Sequence, residues 1–223
     1  MDRLVKWTVT VALAICAHSA VAANSNQVSF RIGAVDILWR LPSEYCPREG
    51  EAAAKAQAVA ALDNDNITDL DIVSCADGKT NTDHYVILKT PNALIFPAID
   101  RSEYLHSVAD YVEKANPSEW QPSLTDDDDA AKRFESIFGS KATFKSTIKP
   151  ISKDDICVYL GGFVDTASSK GQRRGAVMAC MTIVLRKALT VYVYDMRTDA
   201  SGMPKLLREA HKIAADIIGQ NEK

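Results

Sequence analysis

The pattern of hydrophobic and polar positions along the chain predicts strands in two groups. Alternation of apolar and polar residues is typical of a half-buried strand. Residues 28–40 alternate loosely, and we predict one strand there, bulged at Gly33. The later strands are predicted over residues 67–75 and 84–89, joined by a turn at residues 76–79, and over residues 156–164, 176–185 and 188–194.

Apolar residues three or four positions apart predict helices between these strands. One covers residues 49–62, which are rich in Ala, Glu, Lys and Gln. Another is capped by Asp100, with Glu103 placed to complete a capping box, and ends at residues 116–117. The apolar faces of this helix and of the last helix, which ends at Gly219, are Tyr104, Leu105, Val108, Tyr111 and Val112, and Leu206, Leu207, Ala210, Ile213, Ala214, Ile217 and Ile218.

The carboxylates of Asp126, Asp127, Asp128 and Asp129 allow two interpretations. A calcium loop of the EF-hand kind alternates its ligands and includes a glycine, and this run has neither feature. The run suits the first turn of a helix capped by Thr125, where carboxylates face the positive end of the helix dipole, and Gly139 would end that helix. We therefore predict a helix here and no metal site.

Strands and helices occur in both halves without strict β-α-β alternation. This predicts an α+β fold, mostly an antiparallel sheet with helices packed on it, in two strand-plus-helix halves. Residues 117–124, rich in Pro, Ser, Trp and Gln, are the candidate linker between halves 23–116 and 125–223 of a single domain. The architecture resembles the PsbP-like sandwich of exported proteins in shape, without a shared motif, and so implies nothing about function.

The N-terminal residues 1–22 have the pattern of a secretory signal peptide. Arg3 and Lys6 precede a short apolar run, and small residues at positions 20–22 predict cleavage after Ala22. The run is too short for a permanent membrane helix, and Ile15 before Cys16 argues against lipid attachment. We expect an exported protein without an integral membrane segment, periplasmic in location, with full secretion as the alternative.

Cleavage would leave an even set of cysteines: Cys46, Cys75, Cys157 and Cys180. An even set in an exported chain predicts disulfides, and the pairing within each half, Cys46 with Cys75 and Cys157 with Cys180, is favoured among three connectivities. A metal or redox site is the alternative. The sequence does not support a metal or redox site, because it contains no Cys-x-x-Cys pair and places no histidine near any of these four cysteines.

Charge and motifs exclude several function classes. The formal net charge is −3 at pH 7, which offers no general attraction to nucleic acid. No phosphate loop, dinucleotide fingerprint, zinc motif or nucleophile elbow is present, so no cofactor or metal is predicted and the catalytic residues stay unknown. The remaining histidines, His84, His106 and His211, are predicted to lie at the surface or at its boundary, and Asp154 and Asp155 in a solvated loop.

One segment, residues 168–175, suggests a binding site. Lys170, Arg173 and Arg174 stand among small and hydroxyl residues and could together wrap an anion. The alternative is an ordinary hairpin connection kept soluble by its charges. If the first interpretation holds, replacing both arginines with alanine abolishes binding of the anion and leaves stability unchanged.

Three functions therefore compete. We favour a non-catalytic binding or accessory protein of the envelope, whose partner is an unknown protein or a small anionic ligand. A hydrolase with a site assembled from scattered residues is the main alternative, and no enzyme activity is assigned. The third is a secreted factor that acts on another cell through the basic loop or through an aromatic residue such as Trp120.

Overall fold

The computed structural model describes residues 26–76, 79–115, 132, 135–169 and 171–222. Its strands are β1 (Gln27–Ile32), β2 (Val35–Arg40), β3 (Tyr45–Pro47), β4 (Asn66–Ala76), β5 (Lys79–Pro91), β6 (Ala142–Ser146), β7 (Lys149–Lys153), β8 (Val158–Ser168), β9 (Gly171–Val184) and β10 (Lys187–Asp195). The principal helices are α1 (Gly50–Ala60), α2 (Arg101–Lys114) and α3 (Met203–Asn221).

Most of these strands join one antiparallel sheet. Within the described residues the sheet has eight strands, in the order β3-β4-β5-β10-β9-β8-β6, with β7 also paired to β8. The pairing of β5 with β10 places strands from before and after residues 117–124 in the same sheet. An α+β fold built on an antiparallel sheet is thus confirmed.

The prediction of a single strand over residues 28–40 is wrong, because this segment forms a hairpin of two strands. β1 and β2 pair along their whole length, from Gln27 opposite Arg40 to Ile32 opposite Val35, and form a separate two-stranded sheet. Gly33 has a φ of +60°, the conformation that the first position of a tight hairpin turn requires, and so reverses the chain instead of bulging it.

The main hydrophobic core lies between one face of the sheet, the β1–β2 hairpin and α3. Ile37 and Trp39 from the hairpin and Val191 and Val193 from β10 are fully buried in it. The predicted apolar face of α3 is confirmed for the residues that are buried on this side, which are Leu206, Ala210, Ile213, Ala214, Ile217 and Ile218. The helix continues past Gly219 to Asn221, because Gly219 lies on its exposed side and glycine there does not interrupt the backbone hydrogen bonds.

A smaller core lies on the opposite face of the sheet under α2. The side chain of Asp100 accepts hydrogen bonds from the amides of Ser102 and Glu103, as predicted for an N-cap. Tyr104, Leu105 and Val112 are buried, but Tyr111 is 50% exposed, so the predicted apolar face is narrower. α1 buries none of its residues.

Two predicted loops are strands. β5 begins at Lys79 rather than at His84, and β8 and β9 pair without interruption as far as Ser168 opposite Gly171. Both segments extend toward solvent, and their side chains are polar for that reason. Polar side chains do not prevent the backbone hydrogen bonds between neighbouring strands from continuing. Polarity in these segments therefore indicates exposure and not the end of the strand.

The cysteines lie in two pairs at disulfide distance. Cys46 in β3 pairs with Cys75 in β4, with a Cα–Cα distance of 6.0 Å. Cys157, just before β8, pairs with Cys180 in β9 at 5.3 Å. Both distances lie in the range of protein disulfides, and the pairing is the one that the sequence favours.

Gly162 in β8 lies where another backbone segment crosses closely. A Cβ atom there would be 2.1 Å from the carbonyl oxygen of Thr147. We expect Gly162→Ala to lower the free energy of unfolding by about 2 kcal/mol, because the crossing segment must move. The control is Gly219→Ala, where a Cβ meets nothing within 4 Å. Urea unfolding should show this variant to be as stable as the parent or up to about 1 kcal/mol more stable. Equal effects of the two substitutions would contradict the argument.

Several predictions lie outside the described residues. These are the signal peptide at residues 1–22, the linker at residues 117–124, the N-cap and acidic first turn at residues 125–129, and Lys170. At the other end of that predicted helix, residues 135–138 are helical and Gly139, with a φ of +68°, donates its amide to the carbonyl of Glu135. No helix within the described ranges is long and apolar enough to cross a membrane.

Candidate functional site

Four titratable side chains meet at one edge of α3. Tyr45 comes from β3, His84 from β5, Asp195 from the end of β10 and Glu209 from α3. His84 and Asp195 face each other directly across the antiparallel ladder of β5 and β10. Glu209 borders the buried stripe of α3, so the helix presents its carboxylate toward the sheet.

Glu209 is the centre of this cluster. Its Oε1 lies 2.6 Å from Nε2 of His84, and the same oxygen accepts a hydrogen bond from the hydroxyl of Tyr45. The other ring nitrogen of His84, Nδ1, lies 3.6 Å from Oδ2 of Asp195. The rings of Tyr45 and His84 stack with their centroids 6.5 Å apart.

These contacts shift the pKa values of the cluster. The hydrogen bond to Glu209 outweighs burial and raises the pKa of His84. Burial alone would raise the pKa of Glu209, but hydrogen bonds from His84 and Tyr45 hold it below its ordinary value. Burial, reinforced by Glu209, raises the pKa of Tyr45 well above its ordinary value, so the phenol stays protonated. The shifts of both pKa values therefore favour the charged forms of His84 and Glu209.

This arrangement is poorly suited to general base catalysis. A histidine that acts as a base needs one ring nitrogen free to take a proton from a nucleophile or a water. Nε2 of His84 faces the carboxylate of Glu209, and Nδ1 faces that of Asp195. The side chain therefore links β5 and β10 to α3, and its raised pKa favours the positively charged form.

The cluster forms the floor of an open cleft of about 540 Å³, which we call the His84 cleft. Its charged lining residues, besides the cluster, are Glu44, Arg197, Lys205, Arg208, Lys212 and Asp216. Several of these have partners: Lys212 lies 3.8 Å from Glu44, and Asp216 accepts a hydrogen bond from Trp39. Arg197 pairs with Asp83.

Lys205 and Arg208 differ from these charges. Neither has an ion-pair partner within the part of the chain that the structure describes. Lys205 helps to lower the pKa of Glu209 only through its charge at longer range. The His84 cleft thus has two cations on its α3 side that make no direct ion pair with a described residue.

A second cluster joins α3 to the segment before β8. The hydroxyl of Tyr159 donates to Oδ2 of Asp154 at 2.7 Å and lies 2.7 Å from Nδ1 of His211. Oδ1 of Asp154 accepts the backbone amides of Ile156 and Cys157 at 2.9 and 2.8 Å. Burial opposes ionisation of Asp154, but these donors lower its pKa. These contacts engage both carboxylate oxygens of Asp154, and we assign the cluster a structural role.

No protein-family model matches the chain, and no curated protein matches it. Among solved structures, the 1.9 Å crystal structure of the Saccharomyces cerevisiae Ran-binding protein Mog1p is similar, with a TM-score of 0.28 and 11% sequence identity. The match covers 88% of this chain and 92% of that chain.

The structure separates the two arginines of the predicted anion site. Arg173 and Arg174 are consecutive residues of β9, so their side chains leave opposite faces of the strand. Arg174 pairs with Asp165 at 3.1 Å and lies over the ring of Phe163, while Arg173 lies 3.8 Å from Asp83. Anion binding here stays a prediction, and each guanidinium would have to contribute from beside a carboxylate.

The sequence did not indicate the His84 cluster. Glu209 is 125 residues from His84, so no local spacing connects them. The prediction that the histidines lie at the surface or at its boundary is confirmed for His106, whose side chain is 75% exposed, and for His84, whose side chain is 14% exposed and lies at the boundary. One usable signal existed: Glu209 stands between Leu206 and Ile213 at helical spacing, at the border of the apolar stripe.

No group of three or more His, Cys, Asp or Glu side chains among the described residues could hold a metal ion.

Proposed function

We propose that the protein is an exported, non-catalytic binding or accessory protein of the periplasm or envelope, with a site for a small anionic ligand in the His84 cleft. The observation that carries this proposal is the pair of cations, Lys205 and Arg208, that line the cleft without a direct ion-pair partner among the described residues. Glu209 and Asp195 face His84, and Glu44 lies 3.8 Å from Lys212, which reduces their repulsion of an incoming anion. A carboxylate or phosphate group is the ligand chemistry that these two cations favour.

A hydrolase is the second candidate function. The cleft supplies a histidine and two carboxylates, which are common components of hydrolytic sites. The contacts of His84 argue against it, since Nε2 faces the carboxylate of Glu209 and Nδ1 faces that of Asp195.

Calorimetric titration with citrate and with inorganic phosphate tests the binding function. We expect saturable binding of at least one of these anions, and we expect Lys205→Glu to weaken it about tenfold or more. The control is Lys141→Glu, an equal charge change at an exposed residue that does not line the cleft, which should leave the affinity within about twofold. Failure of both anions to bind, or equal weakening by the two variants, would overturn the proposal.

The same protein should be assayed with chromogenic acetate and phosphate esters. We expect no turnover above that of a His84→Gln variant. Turnover that disappears in His84→Gln would favour the hydrolase and contradict the non-catalytic function.

Export is tested by the intact mass of the protein produced from the full chain in a bacterial host. We expect a periplasmic product that begins at Ala23 and contains no free thiol. The cysteine pairs support this expectation, because disulfides persist in oxidising compartments. A cytoplasmic product that retains residues 1–22 would contradict it.

A further inference from the structure

A second cavity lies beside the beginning of α3, on the side away from the His84 cluster. Its volume is about 600 Å³, and it is bounded by β7, β8 and α3. Its apolar lining residues are Ile151, Phe163, Met178, Met203 and Leu207. We call this cavity the apolar groove.

Glycine in β8 shapes the floor of the groove. A Cβ atom at Gly161 would lie 2.8 Å from the terminal methyl groups of both Met178 and Met203. The two methionines therefore meet over a strand position that has no side chain. Met178 is 1% exposed and forms the base of the groove, whereas Ile151 is 41% exposed at its mouth. Methionine is flexible and polarisable, so this lining can adapt to a hydrocarbon chain of varied shape.

The charge around the groove has one sign. Lys149 on β7 and Arg208 on α3 line it, and no carboxylate does. Neither cation has an ion-pair partner among the residues described. A third cation, Arg174, lies 4.7 Å over the ring of Phe163, although it also pairs with Asp165. An apolar floor with a cationic rim is complementary to a molecule with a hydrocarbon tail and an anionic head.

We propose that the apolar groove binds a single-chain anionic amphiphile, a molecule of the fatty-acid or monoalkyl-phosphate kind. The tail lies against Phe163, Met203 and Leu207, and the head group lies at the rim with Lys149 and Arg208. The volume is within the range of small-molecule pockets, which are mostly apolar with a few placed polar groups. This site is separate from the ligand site proposed in the His84 cleft, apart from Arg208, which lines both.

The experiment is calorimetric titration of the mature protein with dodecanoate and with dodecyl phosphate, below their micelle concentrations. We expect saturable binding of about one molecule per chain for at least one of them, and binding of the uncharged dodecyl maltoside weaker by about tenfold or more. Binding of dodecanoate alone would indicate a carboxylate head, and binding of dodecyl phosphate alone a phosphate head. Equal affinity for the uncharged compound, or no binding of either anion, would overturn the proposal.

Variants on one strand locate the site. Lys149→Glu should weaken binding about tenfold, whereas Lys153→Glu, the same charge change on β7 at a residue that does not line the groove, should change it by less than about twofold. Ile151→Asp places a charge at the mouth of the groove at a residue exposed enough to leave the fold intact, and it should also weaken binding. Equal effects of Lys149→Glu and Lys153→Glu would show nonspecific attraction and contradict the assignment. Arg208 is left unchanged, so that loss of amphiphile binding and loss of citrate or phosphate binding are distinguishable.

Discussion

Replacing Cys157 and Cys180 together with alanine is expected to lower the free energy of unfolding by about 3–4 kcal/mol. The two cysteines are 23 residues apart in sequence, so the bond restricts a loop of that length in the unfolded chain. Both side chains are fully buried in the main core, which means that the loss also includes the packing of two sulfur atoms. Urea unfolding of the variant and of the oxidised parent measures the difference.

The second pair provides the control for this prediction. Cys46 and Cys75 are 29 residues apart, so the restriction of the unfolded chain is similar. These residues lie at the edge strand β3 and are only partly buried, and their replacement should cost about 3 kcal/mol with little packing loss. A thiol titration that finds free cysteines in the folded parent, or a Cys157→Ala/Cys180→Ala variant as stable as the parent, would contradict the disulfide assignment.

The cysteine pairing and part of the sheet could be predicted from the sequence, because both follow from the positions of the strands. The mostly apolar segments 156–164 and 176–185 are predicted as strands on either side of a polar loop, and antiparallel pairing of these strands brings Cys157 near Cys180. The face of α3 is predictable because its apolar residues recur at helical spacing. The hairpin of β1 and β2 was missed because a glycine in a strand pattern is compatible with a bulge and with a turn.

The functional cavities follow from contacts that no local pattern encodes. The His84 cluster joins residues from β3, β5, β10 and α3, and the apolar groove joins β7 and β8 to α3. Sequence reasoning therefore placed positive charge in residues 168–175, where cations are adjacent in sequence. In the fold, Lys205 and Arg208 line the His84 cleft, and Lys149 and Arg208 line the apolar groove, arrangements that form only when α3 packs on the sheet.

The charges around His84 give the stability a defined pH dependence. Because the pKa of His84 is raised by folding, its contribution is complete below the unfolded-state pKa and is lost as the pH rises through the folded-state pKa. The pKa of Glu209 is lowered by folding, so its contribution is complete above the unfolded-state pKa and is lost as the pH falls through the lowered value. Asp195 reinforces the charge on His84 and Lys205 opposes it. Stability should therefore be greatest between these two folded-state pKa values.

A double-mutant cycle on His84 and Glu209 measures the interaction free energy between these two side chains separately from their interactions with other residues. Near neutral pH, His84→Leu should lower the free energy of unfolding by about 3 kcal/mol, because it leaves the Glu209 carboxylate in a mostly buried place without its cationic partner. His84→Leu/Glu209→Leu removes both charges and should cost only about 1 kcal/mol, chiefly because the Tyr45 hydroxyl loses its acceptor.

Urea unfolding across the pH range completes this test. The parent should lose stability on the alkaline side of the His84 pKa, and His84→Leu should lack that loss, since the group that releases the proton is gone. The double variant should in addition lack the loss at acid pH that Glu209 causes in the parent. Additive effects of His84→Leu and Glu209→Leu, or an unchanged alkaline limb in His84→Leu, would show that the pair is not coupled and that protonation of His84 does not stabilise the fold.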